Sequence, residues 1–345
     1  MQPRKLGKSD LLVSSVALGC WPISGLTSPD VNERDSLATL EAAVDAGINF
    51  LDTAYAYGLN GESELLIAKA LGHRRSELVI ASKAGLSLTE EGGRVIDGRP
   101  ATLRQQCETS LARLQTDHLD LLYLHAPDPS VSISESAGAL RELMHAGKAR
   151  AIGASNCSLQ QLIEFSAECP LAAFQPPYNL LMREIEQQTL PWCLENDIGV
   201  AIYWPLMKGL LAGELDRDDK IAEGDSRLKY PMFHGAEWDK NHDLIDGLRQ
   251  LADRSGHTVS QIAVNWTLMQ PGVTVALCGA KRAYQIKETA AAMNWQLTDD
   301  MLDLLCTILG SEETQTIRTD AVNFPVPEAT HSNEGVVVPL NAVIW

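Results

Sequence analysis

Four polar side chains stand where apolar segments of the chain end, and their types suit proton transfer. Asp52, Lys83 and His125 each close an apolar segment, and Tyr57 follows Asp52 by five residues. A free tyrosine titrates near ~10, so donating its proton at neutral pH benefits from a nearby cation. These residues lie far apart in the chain, and the elements between them must therefore bring them together.

Short apolar segments alternate regularly with segments of helical periodicity. Continuous apolar strands have no polar face to turn to water, so their alternation with amphipathic helices predicts a parallel sheet covered by helices. We predict strands over residues 16–21, 48–52, 78–83, 119–125, 149–155, 172–175, 200–203 and 273–278. We predict helices over residues 33–46, 65–71, 102–114, 134–145, 158–167, 185–196, 242–254, 259–269 and 283–293.

The eight predicted strands favour an α/β fold of the (β/α)8 TIM-barrel type. A doubly wound open sheet is the alternative, but it would normally carry Gly-x-Gly-x-x-Gly after its first strand, and Leu18-Gly19-Cys20-Trp21-Pro22 is no such turn. An N-terminal β-hairpin is expected around Lys8-Ser9-Asp10. Extra helices and long loops at the C-terminal face complete the prediction. In a barrel, that face carries the active site, so the four polar residues would share one mouth.

The length of 345 residues is compatible with one large barrel. We expect a single (β/α)8 domain over residues 1–310 and a C-terminal tail over residues 311–345, packed on or near the active-site face. Long connections span residues 84–101, 209–241 and 310–345. Long loops in compact domains are commonly functional lids or disordered segments.

The composition limits which classes of partner this protein can bind. The formal net charge is −17, and such a surface repels nucleic-acid phosphates and anionic lipids. No apolar stretch is long enough to cross a bilayer, so we expect no nucleic-acid or membrane partner and a cytoplasmic location. The seven cysteines form no Cys-x-x-Cys pair, which indicates reduced thiols and no metal site. Oligomeric state is left open.

Several motifs, in order along the chain, carry a resemblance to a known family. They are Asn49-Phe50-Leu51-Asp52-Thr53-Ala54-Tyr55-Ala56-Tyr57-Gly58, Ser63-Glu64, Ser82-Lys83, Asp120-Leu121-Leu122-Tyr123-Leu124-His125, Ile152-Gly153-Ala154-Ser155-Asn156, Phe174-Gln175, Tyr203-Trp204-Pro205-Leu206 and Gly279-Ala280-Lys281-Arg282. Together they resemble the aldo-keto reductase family, on its bacterial, potassium-channel-β-like and aldose-dehydrogenase-like side. The likeness runs from about Arg4 to Met293.

The resemblance implies catalytic roles for the four polar residues. Tyr57 would be the general acid, Lys83 and Asp52 would tune it, and His125 would orient the substrate carbonyl. As a hydride reaches the carbonyl carbon, Tyr57 and His125 can hydrogen-bond the negative charge on oxygen. Trp21 would line the substrate site opposite Tyr57. The chemistry requires no metal.

The resemblance also implies a nicotinamide cofactor, NADPH/NADP+, with NADH possible. The nicotinamide carboxamide would contact Ser155, Asn156 and Gln175, with Tyr203 stacked on the ring. The remaining expected cofactor contacts are Leu206, Lys208, Gly209 and Leu210 along the pyrophosphate, Gly279, Lys281 and Arg282 toward the 2′-phosphate, and Gln285 and Glu288 on the adenosine side. Two cations opening a helix suit a phosphate group.

Each residue also has a structural explanation when taken alone. Ser155-Asn156 could cap the next helix, Tyr203 and Trp21 could be core residues, and Lys281-Arg282 could be solvated. Trp204 replaces a small residue common in the family, and Thr289 stands where asparagine is usual. The function expected is reversible reduction of an aldehyde, ketone or aldose by NADPH. An NAD(P)-dependent aldose dehydrogenase and a slow-turnover, cofactor-binding regulatory or sensor subunit are the alternatives.

Overall fold

The computed structural model describes residues 2–27, 30–89, 93–223 and 225–310, together with the backbone of two strands at 330–332 and 335–338. Eight parallel strands close into a barrel in chain order, because the eighth strand pairs with the first, aligning Ala276 with Val16 and Gly279 with Gly19. The barrel strands are Val16–Gly19, Phe50–Asp52, Val79–Ala84, Leu119–Leu124, Ala149–Ser155, Leu171–Gln175, Gly199–Tyr203 and Val273–Gly279. The predicted (β/α)8 fold is therefore confirmed.

Ten α-helices lie within the described residues, most of them packed around the barrel. They are α1 Glu33–Asp45, α2 Glu62–Leu71, α3 Pro100–Leu114, α4 Ile133–His145, α5 Leu159–Glu168, α6 Thr189–Glu195, α7 Gly235–Ser255, α8 Val259–Met269, α9 Ala283–Ala290 and α10 Asp299–Ile308. Ser158 and Thr258 begin α5 and α8 with capping boxes, in which side chain and backbone satisfy each other's donors.

Side chains fill the interior of the barrel. Tyr123 is fully buried there, in register with Lys83, and a Cβ on Gly153 would lie 2.4 Å from its ring, so glycine is needed at position 153. An N-terminal hairpin of Arg4–Lys5 and Leu12–Val13 closes the bottom. Open space is therefore available at the opposite end, where the strands' carboxyl termini meet the loops.

Two of the long connections contain more regular structure than the sequence indicated. The loop after the third barrel strand forms a hairpin, Leu86–Leu88 with Arg94–Ile96, and α3 already begins at Pro100. The loop after the seventh strand is shortened because α7 begins at Gly235, not near residue 242. Both loops rise from the C-terminal face of the barrel.

Two further helix predictions need correction, and one helix was not predicted. The helix expected over 185–196 is a 3-10 turn at Glu184–Glu186 followed by α6, because Pro191 sits in the first turn of α6 and limits how far it extends backward. The helix expected over 283–293 ends at Ala290 and continues as a 3-10 turn, Ala291–Asn294. Helix α10 was not predicted, although Thr298 is a serviceable N-cap before its apolar positions.

Two short strands of the tail belong to the described residues. Its strand Gly335–Val338 pairs with Arg94–Ile96 of the loop hairpin and with the strand Thr330–Ser332. The remaining residues after 310 lie outside the described part of the chain. The division into a barrel domain and a tail packed near the active-site face stays a prediction.

All seven cysteines are free, and Cys306 alone among them is exposed. Across the described ranges, no helix has the length and apolar character needed to cross a membrane.

Candidate active site

The buried Lys83 binds both Asp52 and Tyr57, and these three residues form a trio at the centre of the site. The Lys83 ammonium donates to Asp52 Oδ2 at 2.6 Å, to the Thr53 carbonyl at 2.9 Å and to the Tyr57 hydroxyl at 3.1 Å. Lys83 lies one residue before the end of its strand, inside the barrel, and is 1% exposed. An ammonium has three donors and no acceptor, so the Tyr57 oxygen must accept this bond. The phenolic proton is left to point elsewhere.

Burial and charge set the protonation states of this trio. Burial is the largest single effect and lowers the pKa of Lys83, but the charges and hydrogen bonds of Asp52 and Tyr57 together outweigh it, so the pKa lies above the usual value. For Tyr57 burial is the larger effect, so its pKa is raised although Lys83 opposes the rise. Lys83 therefore lowers the pKa of Tyr57, as expected, but by less than burial raises it. Tyr57 holds its proton at neutral pH.

His125 faces Tyr57 across the mouth of the barrel, with ring centroids 6.0 Å apart. Burial, assisted by the charges of Lys83 and Arg94, holds the pKa of His125 well below its usual range. The imidazole is therefore neutral. Its Nδ1 atom is buried with no hydrogen-bond partner among the described residues. A buried ring nitrogen of this kind is uncommon unless a ligand or water completes it.

A cavity of about 790 Å³ opens above these residues. Tyr57, His125 and Trp21 line one end, and the Trp21 ring meets the Tyr57 ring edge-on at 5.1 Å. The other expected residues on its wall are Asp52, Ser155, Asn156, Gln175, Tyr203, Leu206, Lys208, Gly209, Gly279, Lys281, Arg282, Gln285 and Glu288. The cavity thus connects the candidate catalytic residues with the segment that opens α9.

The residues expected at the carboxamide are bonded to one another and to the trio. Gln175 donates from Nε2 to Asp52 Oδ1 at 2.7 Å, and Ser155 donates to the Gln175 carbonyl at 2.8 Å. The Tyr203 hydroxyl donates to Asn156 Oδ1 at 2.9 Å. Neither Ser155 nor Asn156 caps α5, because Ser158 fills that position. The capping explanation for this pair is therefore wrong.

The segment after the seventh strand has unusual backbone geometry. Trp204, Met207 and Lys208 have φ of 59°, 43° and 53°, a left-handed conformation that side chains other than glycine seldom adopt. This turn places the Lys208 ammonium 4.6 Å from the Trp204 ring centre and 4.7 Å from that of Tyr230. Burial lowers the pKa of Lys208 to about 8, with a further contribution from Arg94.

The cations at the start of α9 already have acidic partners. Lys281 lies 3.1 Å from Asp30, and Arg282 lies 3.6 Å from Asp30 and from Asp35. The Gln285 side chain accepts from the backbone N–H groups of Lys281 and Arg282 at 2.9 and 3.2 Å. A phosphate here would share these groups with carboxylates, which the sequence did not reveal.

Two further placements differ from expectation. Leu210 is fully buried in the core and does not line the cavity, because the turn at Lys208–Gly209 directs it inward. Glu288 lines the cavity, but its Oε1 accepts from Ser260 at 2.5 Å. Conversely, Arg94 and Tyr230 line the cavity, and sequence reasoning had assigned neither. Both come from the long loops, whose folding carried no sequence signal that we could use.

The C-terminal end of the closed barrel brings a carboxylate, an ammonium, a phenol and a neutral imidazole together at one end of a long cavity. This arrangement is typical of NAD(P)H-dependent oxidoreductases that act on carbonyl and alcohol groups. Comparison with known proteins agrees with this. The model of the Aldo/keto reductase family matches residues 15–309. The chain belongs to the aldo/keto reductase family, as its motifs suggested.

Relatives and solved structures cover most of the chain. It is 36% identical over 308 residues to the aldo-keto reductase YhdN of Bacillus subtilis, covering 88% of this chain and 92% of the relative. It is similar to the glycerol dehydrogenase AKR11B4 from Gluconobacter oxydans, with TM-score 0.83, 34% identity, and 96% and 99% of the two chains covered. The aldo-keto reductase AKR11C1 from Bacillus halodurans, solved in holo form, gives TM-score 0.74, 27% identity, and coverage of 89% and 96%.

Proposed function

We propose that this protein is an NADPH-dependent aldo-keto reductase that reversibly reduces an aldehyde, ketone or aldose, with Tyr57 as the general acid. One observation supports this above all others. Lys83 donates to the Tyr57 oxygen from below, so the Tyr57 proton is available to a group in the cavity. Because the pKa of Tyr57 is raised by burial, the phenol remains protonated at neutral pH.

The side chains divide the work on the carbonyl oxygen. Tyr57 donates a hydrogen bond and then the proton, and the Lys83 ammonium stabilises the phenolate that remains. Asp52 keeps Lys83 charged and fixed in place. The neutral His125 offers its N–H to the same oxygen, which orients the carbonyl without competing as an acid. This use of four groups requires no metal.

The walls of the cavity fit a dinucleotide. When bound, the nicotinamide supplies the hydride for reduction or accepts it for oxidation. Ser155, Asn156 and Gln175 would hold its carboxamide, and Tyr203 would support the ring. Lys208 would meet the pyrophosphate. The residues left for the adenosine end, Lys281, Arg282, Gln285 and Glu288, favour NADPH because two cations suit a 2′-phosphate.

A second direction of the same chemistry is favoured by one comparison. AKR11B4, similar over nearly its whole length, is named a glycerol dehydrogenase. Oxidation of a polyol or aldose needs a base at the position of Tyr57, and Lys83 would stabilise the phenolate that acts there. The geometry serves both directions, so the physiological direction follows from substrate and cofactor supply.

Substitution of Tyr57 with phenylalanine tests the proposal. Tyr57→Phe removes the proton donor and keeps the ring, so carbonyl reduction should fall by about 10³-fold or more while NADPH affinity stays within a few-fold. Turnover is measured as NADPH consumption with a panel of small aldehydes, ketones and sugars, and affinity as quenching of tryptophan emission. Undiminished turnover would refute the acid role. Tight NADPH binding by the unmodified protein, without turnover in either direction, would support a regulatory subunit instead.

A further inference from the structure

A buried ion pair lies outside the barrel directly behind the site. Glu64, on α2, is fully buried. It accepts from the Ser82 hydroxyl at 2.7 Å through Oε1, and from Arg113 of α3 at 3.2 Å through Oε2. Ser82 precedes Lys83, so along a strand the two side chains point to opposite faces. Glu64 therefore binds the outer face of the strand whose inner face carries the site lysine.

Arg113 also contacts the loop that carries Tyr57. Its Nη1 donates to the Tyr55 carbonyl at 3.0 Å, and its guanidinium carbon lies 4.6 Å from the centre of the Tyr55 ring. The Tyr55 N–H donates to the Lys83 carbonyl at 3.1 Å. Tyr55, two residues before Tyr57, is thus hydrogen-bonded to the strand of Lys83 through its N–H and to Arg113 through its carbonyl.

Resting on the proposed function, we infer that Glu64 and Arg113 are positioning residues that set the distance between the Tyr57 hydroxyl and the Lys83 ammonium. The pair joins α2, α3, the third strand and the Tyr57 loop at one point. A buried ion pair adds little net stability over apolar residues of the same volume, because desolvation offsets its attraction. Proton transfer, by contrast, is sensitive to displacements well below the size of an atom. A role in geometry accounts for both the burial and the location.

The chain provides a matched control at the other end of the barrel. Arg75 lies 2.8 Å from the buried Asp120 and donates to the backbone carbonyls of Leu78 and His118. Its side chain is 20% exposed, against 16% for Arg113. Both arginines therefore bind a buried carboxylate and main-chain oxygens. Only Arg113 contacts the loop of Tyr57.

The experiment compares Arg113→Met with Arg75→Met in the full chain. We expect Arg113→Met to lower kcat about 10- to 100-fold while KM for NADPH changes less than threefold. Arg75→Met should leave the kcat of folded protein within about twofold of the parent. The folded fraction is measured by near-UV circular dichroism. Arg113→Lys keeps the charge and one hydrogen bond, and should recover part of the loss.

A pH profile of alcohol oxidation gives a readout that a purely structural role would not move. The charged or titratable groups around Tyr57 are Lys83, Asp52, Cys20, Arg94, Tyr203 and the neutral His125. Burial raises the pKa of Tyr57, and Lys83 lowers it. If Arg113→Met lets the phenol drift from the ammonium, the pKa of Tyr57 rises. The midpoint of the alkaline rise in activity then moves to higher pH, whereas Arg75→Met leaves it in place.

Two outcomes would contradict the inference. Equal kcat losses in the two methionine variants, or an unmoved pH midpoint in Arg113→Met, would overturn the inference. Should Arg113→Met not fold, Glu64→Gln keeps the shape and removes the charge, and the same selective kcat loss and pH shift are required of it. If the unmodified protein turns over and Tyr57→Phe does not, the proposed function holds. A negative result with Arg113→Met then counts against this inference alone.

Discussion

The two ends of the barrel each hold a buried carboxylate bound by cations, and they differ in what the remaining bonds do. At the lower end, Asp120 accepts from Arg75 at 2.8 Å, from Arg150 at 2.7 Å and from the Ile80 N–H at 2.9 Å. These bonds tie the third, fourth and fifth strands together. At the upper end, Asp52 binds Lys83 and Gln175, and Lys83 passes on to Tyr57.

The difference lies in where each network stops. The lower network terminates in protein atoms. The upper network terminates at the Tyr57 phenol and the Gln175 amide, which border the cavity, and the unpartnered imidazole nitrogen of His125 lies beside them. A closed network holds strands, and an open one is suited to exchange protons with a ligand. Barrel enzymes generally show the same division, with activity at the C-terminal face and stability at the other.

Removal of Lys83 is expected to have the largest effect. Lys83→Met leaves Tyr57 without a cation and Asp52 without its charge partner, so carbonyl reduction should fall by about 10³-fold. The expected change is in kcat, measured as single-turnover NADPH oxidation under saturating cofactor. A reduction rate within tenfold of the parent would contradict the role given to the ammonium.

Its counterpart at the lower end is Asp120→Asn. This variant loses a charge that two arginines share, and it should destabilise the fold by about 2 kcal/mol without changing the turnover of folded molecules. Urea unfolding followed by tryptophan emission measures the first quantity. A selective loss of turnover in Asp120→Asn would show that the lower network also serves catalysis.

An intermediate effect is expected at Lys208, in the upper region. Its pKa of about 8 means that the ammonium is charged at pH 7 and mostly neutral at pH 9.5. If the charge holds the pyrophosphate, NADPH affinity should fall about five- to tenfold over that range. Lys208→Arg, which stays charged, should bind with little pH dependence. Parallel pH curves for the two proteins would exclude Lys208 as the source.

The smallest effect concerns Asp30, the carboxylate paired with the two cations at the start of α9. Asp30→Asn frees Lys281 and Arg282 from an exposed ion pair, so NADPH affinity should rise about two- to fivefold and NADH affinity much less. Asp10→Asn removes a comparable exposed partner from Arg150 at the lower end and should change neither affinity. Fluorescence titration with both nucleotides measures the ratio. An equal gain for NADH would argue against a 2′-phosphate site.

The positions of Asp52, Lys83 and His125 could be predicted because each ends an apolar strand, and a parallel barrel brings strand ends to one face. The same reasoning explains why Asp120, although part of a family motif, was assigned no role of its own. It lies near the start of its strand, and only the closed barrel shows that it is buried among arginines. Tyr57 depended on the family motif, since nothing in a loop's spacing fixes where a side chain points.

Contacts between distant loops could not be predicted from the sequence. Tyr230 meets Lys208 across a connection whose turns follow no period, and Asp30 reaches Lys281 over 251 residues of chain. Glu64 belonged to a recognised motif, but its partner Arg113 looks like an ordinary helix residue. Side-chain pairs of this kind follow from packing between elements, which pattern and propensity do not encode.

The left-handed turn of Trp204, Met207 and Lys208 has a practical meaning for anyone who evolves this enzyme toward heat resistance. Such backbone angles cost about 1–3 kcal/mol for each non-glycine residue. A screen that rewards only survival at high temperature will therefore enrich glycine at positions 204 and 208. Those clones would lose an indole and an ammonium from the cavity wall, so thermal selection of this chain should be paired with a turnover assay.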